Sequence, residues 1–343
     1  MSLRPHTTRG GTFLAVVAAL FTVVVAILIS SPRPLATIAV FLSGPWSNRF
    51  ALGNFLSRAA LLCITGAGVV IAFRAGTFNL GGEGQTYLGA LVASVVITGV
   101  NPLVYRGFVP VFLAVAAAVG AGALLAGLSG WLRHRTGADE LITSFLLSAA
   151  AIPVVDYLIS GPLKDPGSNL LATPMIPEAF RLTRILPPSA LNITFIWALL
   201  VVLVLWFLLN WTLFGYELRI TGYNRDLARF SGIPLGIYTT VPMALSGALH
   251  GLAGAALVLG VHHRSIQGFS GGLGWNGIAV ALIARNSPAL VIPAALFFAL
   301  LDAGSRAAVV HSQATWELGS LIQGVVFLFV TARLLRTATG RAA

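Results

Sequence analysis

Long apolar runs, interrupted by short polar stretches, make up most of this chain. A helix that crosses a membrane needs about 20 mostly apolar residues. The runs that approach this length are 12–30, 59–73, 85–100, 108–132, 141–159, 190–213, 237–260, 274–285, 289–304 and 316–335. Two of them, 59–73 and 274–285, are short enough to be half-helices. We therefore predict an all-α fold: a polytopic membrane helix bundle of about ten transmembrane helices, some of them broken, with residues 1–343 in a single transmembrane domain.

Two segments between the predicted spans are too long to be simple turns. Residues 31–58 contain three prolines and Trp46, and we interpret them as a surface helix or a lid. Residues 160–189 contain six prolines, which is too many for a spanning helix. Long structured loops on one face of a bundle commonly carry function. The segment 160–189 is therefore a candidate contact surface.

Composition and charge agree with a membrane protein and indicate its orientation. Hydrophobic residues make up 57% of the chain and charged residues only 9%, whereas about a quarter of a soluble domain is charged. The net charge of +11 forms no basic face, so we expect no nucleic-acid partner; the cations lie singly between apolar runs, where they meet membrane lipids. Most of them fall on the side of the two termini. This bias predicts that both termini and 214–236 lie in the cytoplasm and that 160–189 is extracytoplasmic.

Motifs for catalysis or metal binding are missing from the sequence. Cys63 is the single cysteine and lies inside an apolar run. His262 and His263 are adjacent, but no carboxylate or third ligand accompanies them, so they make a poor metal site. The chain also contains no phosphate-binding loop and no nucleophile–base pair with suitable spacing. We expect no metal, no cofactor and no enzymatic activity, including ATP hydrolysis by the chain itself.

The first candidate functional segment, 73–85, interrupts two apolar runs with four glycines and the carboxylate of Glu83. Glycine permits the backbone to leave the helix, and at membrane depth such backbone occurs only where protein buries it or where it lines a polar path. The freed amides of a half-helix that begins near Gly84 could bind a polar solute or be capped by Glu83. The alternative is a plain cytoplasmic hairpin in which Glu83 is solvated.

The second candidate segment begins the short run 274–285, where Trp275 and Asn276 follow three glycines. An aromatic face beside a side-chain amide suits a planar heterocycle, although Trp275 could also be a simple membrane-interface anchor. We predict that 76–85 and 274–276 jointly line a solute path. The residues assigned to it are Phe78, Asn79, Glu83, Gln85, Trp275 and Asn276, with Glu83 holding the loop rather than touching the solute.

The third candidate segment, 214–236, mixes charged and apolar residues at helical spacing between two predicted spans. Gly222 and Gly232 bracket its central part. A short amphipathic helix in this position either lies on the membrane surface or docks into the groove of a partner.

Four sequence strings resemble one protein family, and they occur in the same order. Residues 78–85 read Phe-Asn-Leu-Gly-Gly-Glu-Gly-Gln, which is similar to a signature of nucleoside ABC-importer permeases, within the larger group that includes ribose and branched-chain amino acid permeases. Residues 139–148, 222–233 and 274–288 are similar to three further family segments. Asp139 replaces the usual asparagine, and Ala284 replaces a common glycine.

This resemblance implies a multi-pass transport subunit of the bacterial inner (cytoplasmic) membrane that works by alternating access, for nucleosides or related purine-like solutes. Its implied partners are a second permease subunit, a cytoplasmic ABC ATPase and an extracytoplasmic solute-binding lipoprotein. It also makes 214–236 the element that couples to the ATPase, with the coupling residues Gly222, Asn224, Ala228, Arg229 and Gly232. Two alternatives stay open: a permease for a simple sugar, and a proton-coupled secondary carrier with Glu83 or Asp302 as its proton site.

Overall fold

The computed structural model describes residues 31–104 and 107–312, together with single positions of two flanking helical segments (17, 21, 22, 24, 25, 27–29, 319, 321–325, 327 and 328). Throughout this part of the chain the regular structure is helical, and the only β-type pairs in it are two isolated bridges. Six of its helices are long and apolar enough to cross a membrane. The prediction of an all-α membrane bundle is confirmed. The expected spans 12–30 and 316–335 lie mostly outside the described residues.

The described α-helices are numbered here in chain order. They are α1 (Pro34–Ser43), α2 (Arg49–Arg74), α3 (Gly82–Thr98), α4 (Phe108–Thr136), α5 (Glu140–Ser160), α6 (Thr194–Trp211), α7 (Leu213–Tyr223), α8 (Arg225–Phe230), α9 (Leu235–Leu257), α10 (Leu273–Ile283) and α11 (Pro288–Ser312). Short 3₁₀ turns occur at Gly44–Trp46 and Glu178–Phe180, and α9 continues into a π-helical turn at Val258–His262.

Helix α2 forms the centre of the bundle, where it packs against α6, α9, α10 and α11. Its apolar residues are buried almost without interruption, whereas most residues of α4, α5 and α6 are at least partly accessible at the surface of the chain, as in helices that face lipid. Helices α4 and α9 approach each other through small residues. A Cβ atom added to Gly122 would lie 2.2 Å from the carbonyl oxygen of Gly247, so only glycine permits this contact.

Two predictions near the start of the described chain were wrong. Residues 59–73 do not form a half-helix, and 49–58 are not part of a lid, because both belong to the 26-residue helix α2. The side chain of Asn48 starts this helix by accepting a hydrogen bond from the amide of Ala51 at 2.8 Å. Because the first turns of α2 contain polar residues, the hydropathy pattern did not include them in the predicted span. In the fold, Arg58 is nevertheless largely buried and ion-paired.

Two predictions about helix extent agree with the structure: 274–285 is too short to cross the membrane alone, and 160–189 does not form a spanning helix. Helix α10 has only 11 residues, too few to cross a membrane alone. After Ser160, which ends α5, segment 160–189 contains one 3₁₀ turn at Glu178–Phe180 and two residues in isolated bridges, Ala172 and Arg184. It packs along the residues that follow α9. The amide of Thr173 donates to the carbonyl oxygen of Ser265 at 2.9 Å, and that of Ile176 donates to the carbonyl of His263 at 2.8 Å.

Candidate functional site

The two segments predicted to line a solute path meet inside the bundle. Residues 75–81 leave the helix after α2, with Gly76 in the left-handed region (φ +68°), and α3 then begins at Gly82. The start of α10 packs directly on the start of α3. A Cβ atom added to Gly274 would lie 2.2 Å from the backbone nitrogen of Glu83. Two helix N-termini therefore face each other at one place, and the backbones touch because Gly274 has no side chain.

Glu83 joins these two N-termini. Its side chain is buried, one carboxylate oxygen accepts the amide of Gly274 at 2.7 Å, and the other accepts the hydroxyl of Ser270. A carboxylate at a helix N-terminus satisfies a free amide and meets the positive end of the helix dipole. The solvated hairpin considered for Glu83 does not occur. Its contacts are those of a residue that holds the loop.

Asn79 and Gln85 are also buried, and they pair through their amides. The Asn79 nitrogen donates to the Gln85 oxygen at 2.8 Å, and the Gln85 nitrogen donates back at the same distance. Asn79 further donates to the hydroxyl of Ser246 at 2.9 Å and accepts the amide of Gly81 at 3.0 Å. All four hydrogen-bonding positions of its side-chain amide are thus used inside the chain. These two side chains fix the loop in this conformation.

Helix α5 supplies three polar residues that the sequence reasoning missed. The carboxylate of Glu140 accepts the amide of Phe78 at 3.1 Å, and the hydroxyl of Ser144 accepts that of Leu80 at 3.1 Å. Ser148 accepts the amide of Gly84 at 2.7 Å. Each is buried. The spacing of these residues could have indicated them: residues four apart lie on one face of a helix, and positions 140, 144 and 148 are polar within a mostly apolar run.

The remaining predicted path residues are accessible. Phe78 is 45% exposed and Trp275 is 37% exposed. The ring of Trp275 lies beside that of Phe145 on α5, with their centroids 6.0 Å apart and their planes at 55°. Asn276 is partly exposed, and its nitrogen donates to the oxygen of Gln323 at 3.4 Å. The start of α10 therefore presents an aromatic surface next to a side-chain amide.

Segment 214–236 forms two short helices, α7 and α8, rather than one. Asn224 starts α8 by accepting the amides of Asp226 and Leu227 at 2.9 and 3.0 Å. Gly232, with φ +76°, follows the end of α8. Arg229 is exposed on α8. These positions fit the amphipathic element that the sequence predicted.

Ala228 and Gly222 have different surroundings from the other predicted coupling residues. Ala228 is completely buried in the chain's own core, so it presents no side chain to a partner. Gly222 packs on the break after α2. A Cβ atom added to it would lie 2.2 Å from the carbonyl oxygen of Arg74 and 2.9 Å from the nitrogen of Gly76. The candidate coupling element therefore touches the loop that leads to Glu83.

A protein-family model described as "Branched-chain amino acid transport system / permease component" matches residues 51–331. This match covers most of the chain, including the break after α2, α7, α8 and α10. The chain belongs to this permease family. It is accordingly a multi-pass membrane transport subunit of the ABC type and not an enzyme, and it works with a separate ATPase and a solute-binding protein.

Curated relatives of this permease are similar over nearly its whole length. A probable riboflavin import permease of Treponema pallidum, RfuC, is 32% identical over 93% of this chain and 84% of its own length. A glucose ABC transporter permease of Haloferax volcanii, TsgB13, is 32% identical over 94% of this chain and 86% of its own length. A guanosine ABC transporter permease of Bacillus subtilis, NupP, is 28% identical over 93% and 92%.

A solved structure has the same fold as the permease. PsaBC from Streptococcus pneumoniae in complex with Fab superposes with a TM-score of 0.51, covering 86% of this chain and 95% of that one. At 17% sequence identity this likeness supports the helical architecture alone.

Proposed function

We propose that this permease imports a nucleoside or a related purine-like solute by alternating access, driven by a cytoplasmic ABC ATPase. The observation that carries the proposal is the partly exposed aromatic surface of Trp275 and Phe145 next to Asn276, at the start of a half-helix. A planar heterocycle stacks on aromatic rings, and an amide recognises the polar edge of a base or a ribose hydroxyl. The riboflavin and guanosine named in the two relatives both contain such a ring system.

The six predicted path residues divide into two groups in this proposal. Trp275, Asn276 and Phe78 are accessible and are assigned to the solute. Asn79, Glu83 and Gln85 have their polar groups occupied within the chain, so they hold the backbone that shapes the path. The second permease subunit covers the exposed side of this surface, and lipids cover the apolar faces of α4 and α6.

The ATPase docks on α7 and α8 at the cytoplasmic side. Tyr223, Leu227 and Phe230 are exposed there, and Phe230 is 90% exposed, which is unusual for a large apolar side chain outside a lipid-facing helix. Arg229 provides a charge beside them. Such a mixed surface fits a partner's groove. The extracytoplasmic lipoprotein meets segment 160–189 at the other end of the bundle, and both termini are cytoplasmic in an inner-membrane orientation.

A simple sugar is the second candidate solute, favoured by the Haloferax relative named as a glucose permease. Uptake by the importer reconstituted with its ATPase and binding protein distinguishes the two. We expect unlabelled guanosine to compete with labelled nucleoside, and glucose to have no effect. Competition by glucose alone would establish the sugar instead. Uptake that continues without the ATPase would establish a proton-coupled carrier.

The path itself is tested by Trp275→Ala and Asn276→Ala, with Trp211→Ala as the control because Trp211 is exposed at the end of α6. Loss of one hydrogen bond or stacking contact costs about 1–3 kcal/mol, or about 5- to 150-fold in affinity. We expect the half-saturation constant for uptake to rise by that factor in the two path variants and to stay unchanged in the control. Unchanged values in all three would place the solute path elsewhere.

A further inference from the structure

A second charged network lies on the other side of the turn that precedes α10. Arg58, near the start of the buried helix α2, has a side chain that is only 14% exposed. Its guanidinium donates to the carbonyl oxygens of Ser270 and Gly271 at 3.4 and 3.3 Å. Ser270 is the residue whose hydroxyl binds Glu83. The same turn is therefore held by a carboxylate on one side and by a guanidinium on the other.

The network continues from Arg58 to the predicted solute surface. Asp302 on α11 lies 3.6 Å from Arg58 as an ion pair, and its side chain is 14% exposed. Its other oxygen accepts the side-chain nitrogen of Gln323 at 3.2 Å. The oxygen of Gln323 in turn accepts the nitrogen of Asn276 at 3.4 Å. A continuous chain of polar contacts thus links Arg58 with the side chain assigned to the solute.

We propose that Arg58 and Asp302 are positioning residues of the solute path: they fix the turn 270–272 and the side chain of Asn276 relative to each other. This inference rests on the proposed function of Asn276. Gly271 and Gly272 both have positive φ angles, +57° and +72°, so the turn has much conformational freedom to lose. Carbonyls that precede a helix have no partner in it, and the forked guanidinium of arginine satisfies two of them at once.

Ionised groups inside a membrane bundle are costly and persist where they are paired and where they contribute to function. Arg306 provides a contrast. It also contacts Asp302, at 3.1 Å, but its side chain is 71% exposed, and within the described part of the chain it does not hydrogen-bond to the turn. Both arginines pair with the same carboxylate, and only Arg58 also binds carbonyls of the turn. Arg306→Gln is therefore the matched control for Arg58→Gln.

Two readouts test the proposal in the reconstituted importer. The first is the half-saturation constant for solute uptake, which we expect to rise about tenfold in Arg58→Gln through misplacement of Asn276, with little change in maximal rate. Arg58→Lys keeps the ion pair but loses the fork, so we expect a smaller rise. Arg306→Gln should match the unaltered protein. A purely structural ion pair would instead lower yield and maximal rate and leave the half-saturation constant unchanged.

The second readout reports position without any solute. In a background with Cys63 replaced, the double substitution Phe145→Cys and Trp275→Cys, which leaves Arg58, Asp302, Gln323 and Asn276 in place, is treated with a short bifunctional thiol reagent. We expect Arg58→Gln to lower the cross-linking yield at least about twofold relative to Arg306→Gln, because the start of α10 is no longer held. Unchanged cross-linking in Arg58→Gln overturns the positioning role, even where uptake is impaired. If Arg58→Gln does not assemble, both measurements are made with Arg58→Lys.

The cross-linking result also separates this inference from the proposed solute path. Reduced cross-linking together with normal uptake by Asn276→Ala would retain the positioning network and reject the path. Normal cross-linking together with impaired uptake by Asn276→Ala would retain the path and reject the network.

Discussion

The close contact between Gly222 and Gly76 leads to a prediction about how the proposed ATPase-docking helix α7 is coupled to the proposed solute path. Gly222 lies in the last turn of α7, where the ATPase is proposed to dock, and Gly76 lies in the break that leads to Glu83. The atoms nearest to a new Cβ at Gly222 are all backbone atoms, of Arg74, Ala75 and Gly76, at 2.2 to 3.0 Å. None of them can rotate away as a side chain would.

The cost of Gly222→Ala follows from this geometry. Overpacking against a rigid neighbour costs about 1–3 kcal/mol, and the backbone contacts place this site near the upper limit. Alanine is better than glycine inside a helix by about 1 kcal/mol, which offsets part of the cost. The net penalty of about 1–2 kcal/mol corresponds to a factor of about 5–30 in the equilibrium for close contact between α7 and the break. Alanine should therefore separate the two segments without unfolding the bundle.

Uptake per ATP hydrolysed, measured in proteoliposomes, tests this prediction. We expect Gly222→Ala to assemble with the ATPase and hydrolyse ATP, while uptake per ATP falls by up to the factor above. Gly120→Ala is the control, because Gly120 is also helical and a Cβ atom there would meet nothing within 4 Å. If Gly222→Ala retains the normal ratio, the close contact has no part in coupling. Loss of assembly in Gly222→Ala would show that the glycine serves docking instead.

Three further predictions concern separate parts of the molecule. Phe230→Asp should prevent co-purification of the ATPase at normal permease yield, whereas Ala228→Glu should lower the yield itself because it buries a charge in the chain's own core. Ser148→Ala removes the acceptor of a buried amide and should cost about 1–3 kcal/mol, seen as a lower melting temperature than for Ser160→Ala in the same helix. Burial and the positive charges of Arg181 and Arg184 lower the pKa of His263, so the folded protein favours the neutral imidazole. The contribution of His263 to stability is therefore complete above the unfolded-state pKa of about 6.5 and is lost as the pH falls below that value. His263→Asn should therefore weaken the pH dependence of the melting temperature between about pH 7.5 and 5.5.

The sequence predicted the parts of this fold that depend on composition over many residues. Apolar runs located the helices, and prolines and glycines located the segments 160–189 and 75–81 that are not helical. The start of α2 could not be found in this way, because a hydropathy pattern treats Arg58 as a residue facing water. Its charge is instead paired with Asp302, more than 200 residues along the chain. Only the tertiary structure supplies that partner.

The predictions for individual site residues were limited for a similar reason, because the sequence does not show tertiary partners. The sequence predicted that Glu83 holds the loop, since an unpaired buried carboxylate is costly, and its two carboxylate oxygens are hydrogen-bonded within the chain. It gave no means of separating Asn276, which is accessible, from Asn79, whose amide is fully used by neighbours. The family resemblance assigned Ala228 to the contact with the ATPase, but its place on the inner face of α8 depends on how that helix packs.

The contacts of the non-helical segment after α2 explain how a displacement of α7 can affect the start of α10. Residues 75–84 contact α7 at Gly76 and α10 at Glu83, and Glu140, Ser144 and Ser148 accept the amides of Phe78, Leu80 and Gly84. A loop with so many fixed amides cannot absorb a displacement by bending locally, because each lost hydrogen bond would leave a buried donor unsatisfied. A shift of α7 must then move the loop as a unit together with the start of α10. In the proposed mechanism, ATPase motion reaches Trp275 and Asn276 through the close glycine contacts and through the loop that Glu140, Ser144 and Ser148 stiffen.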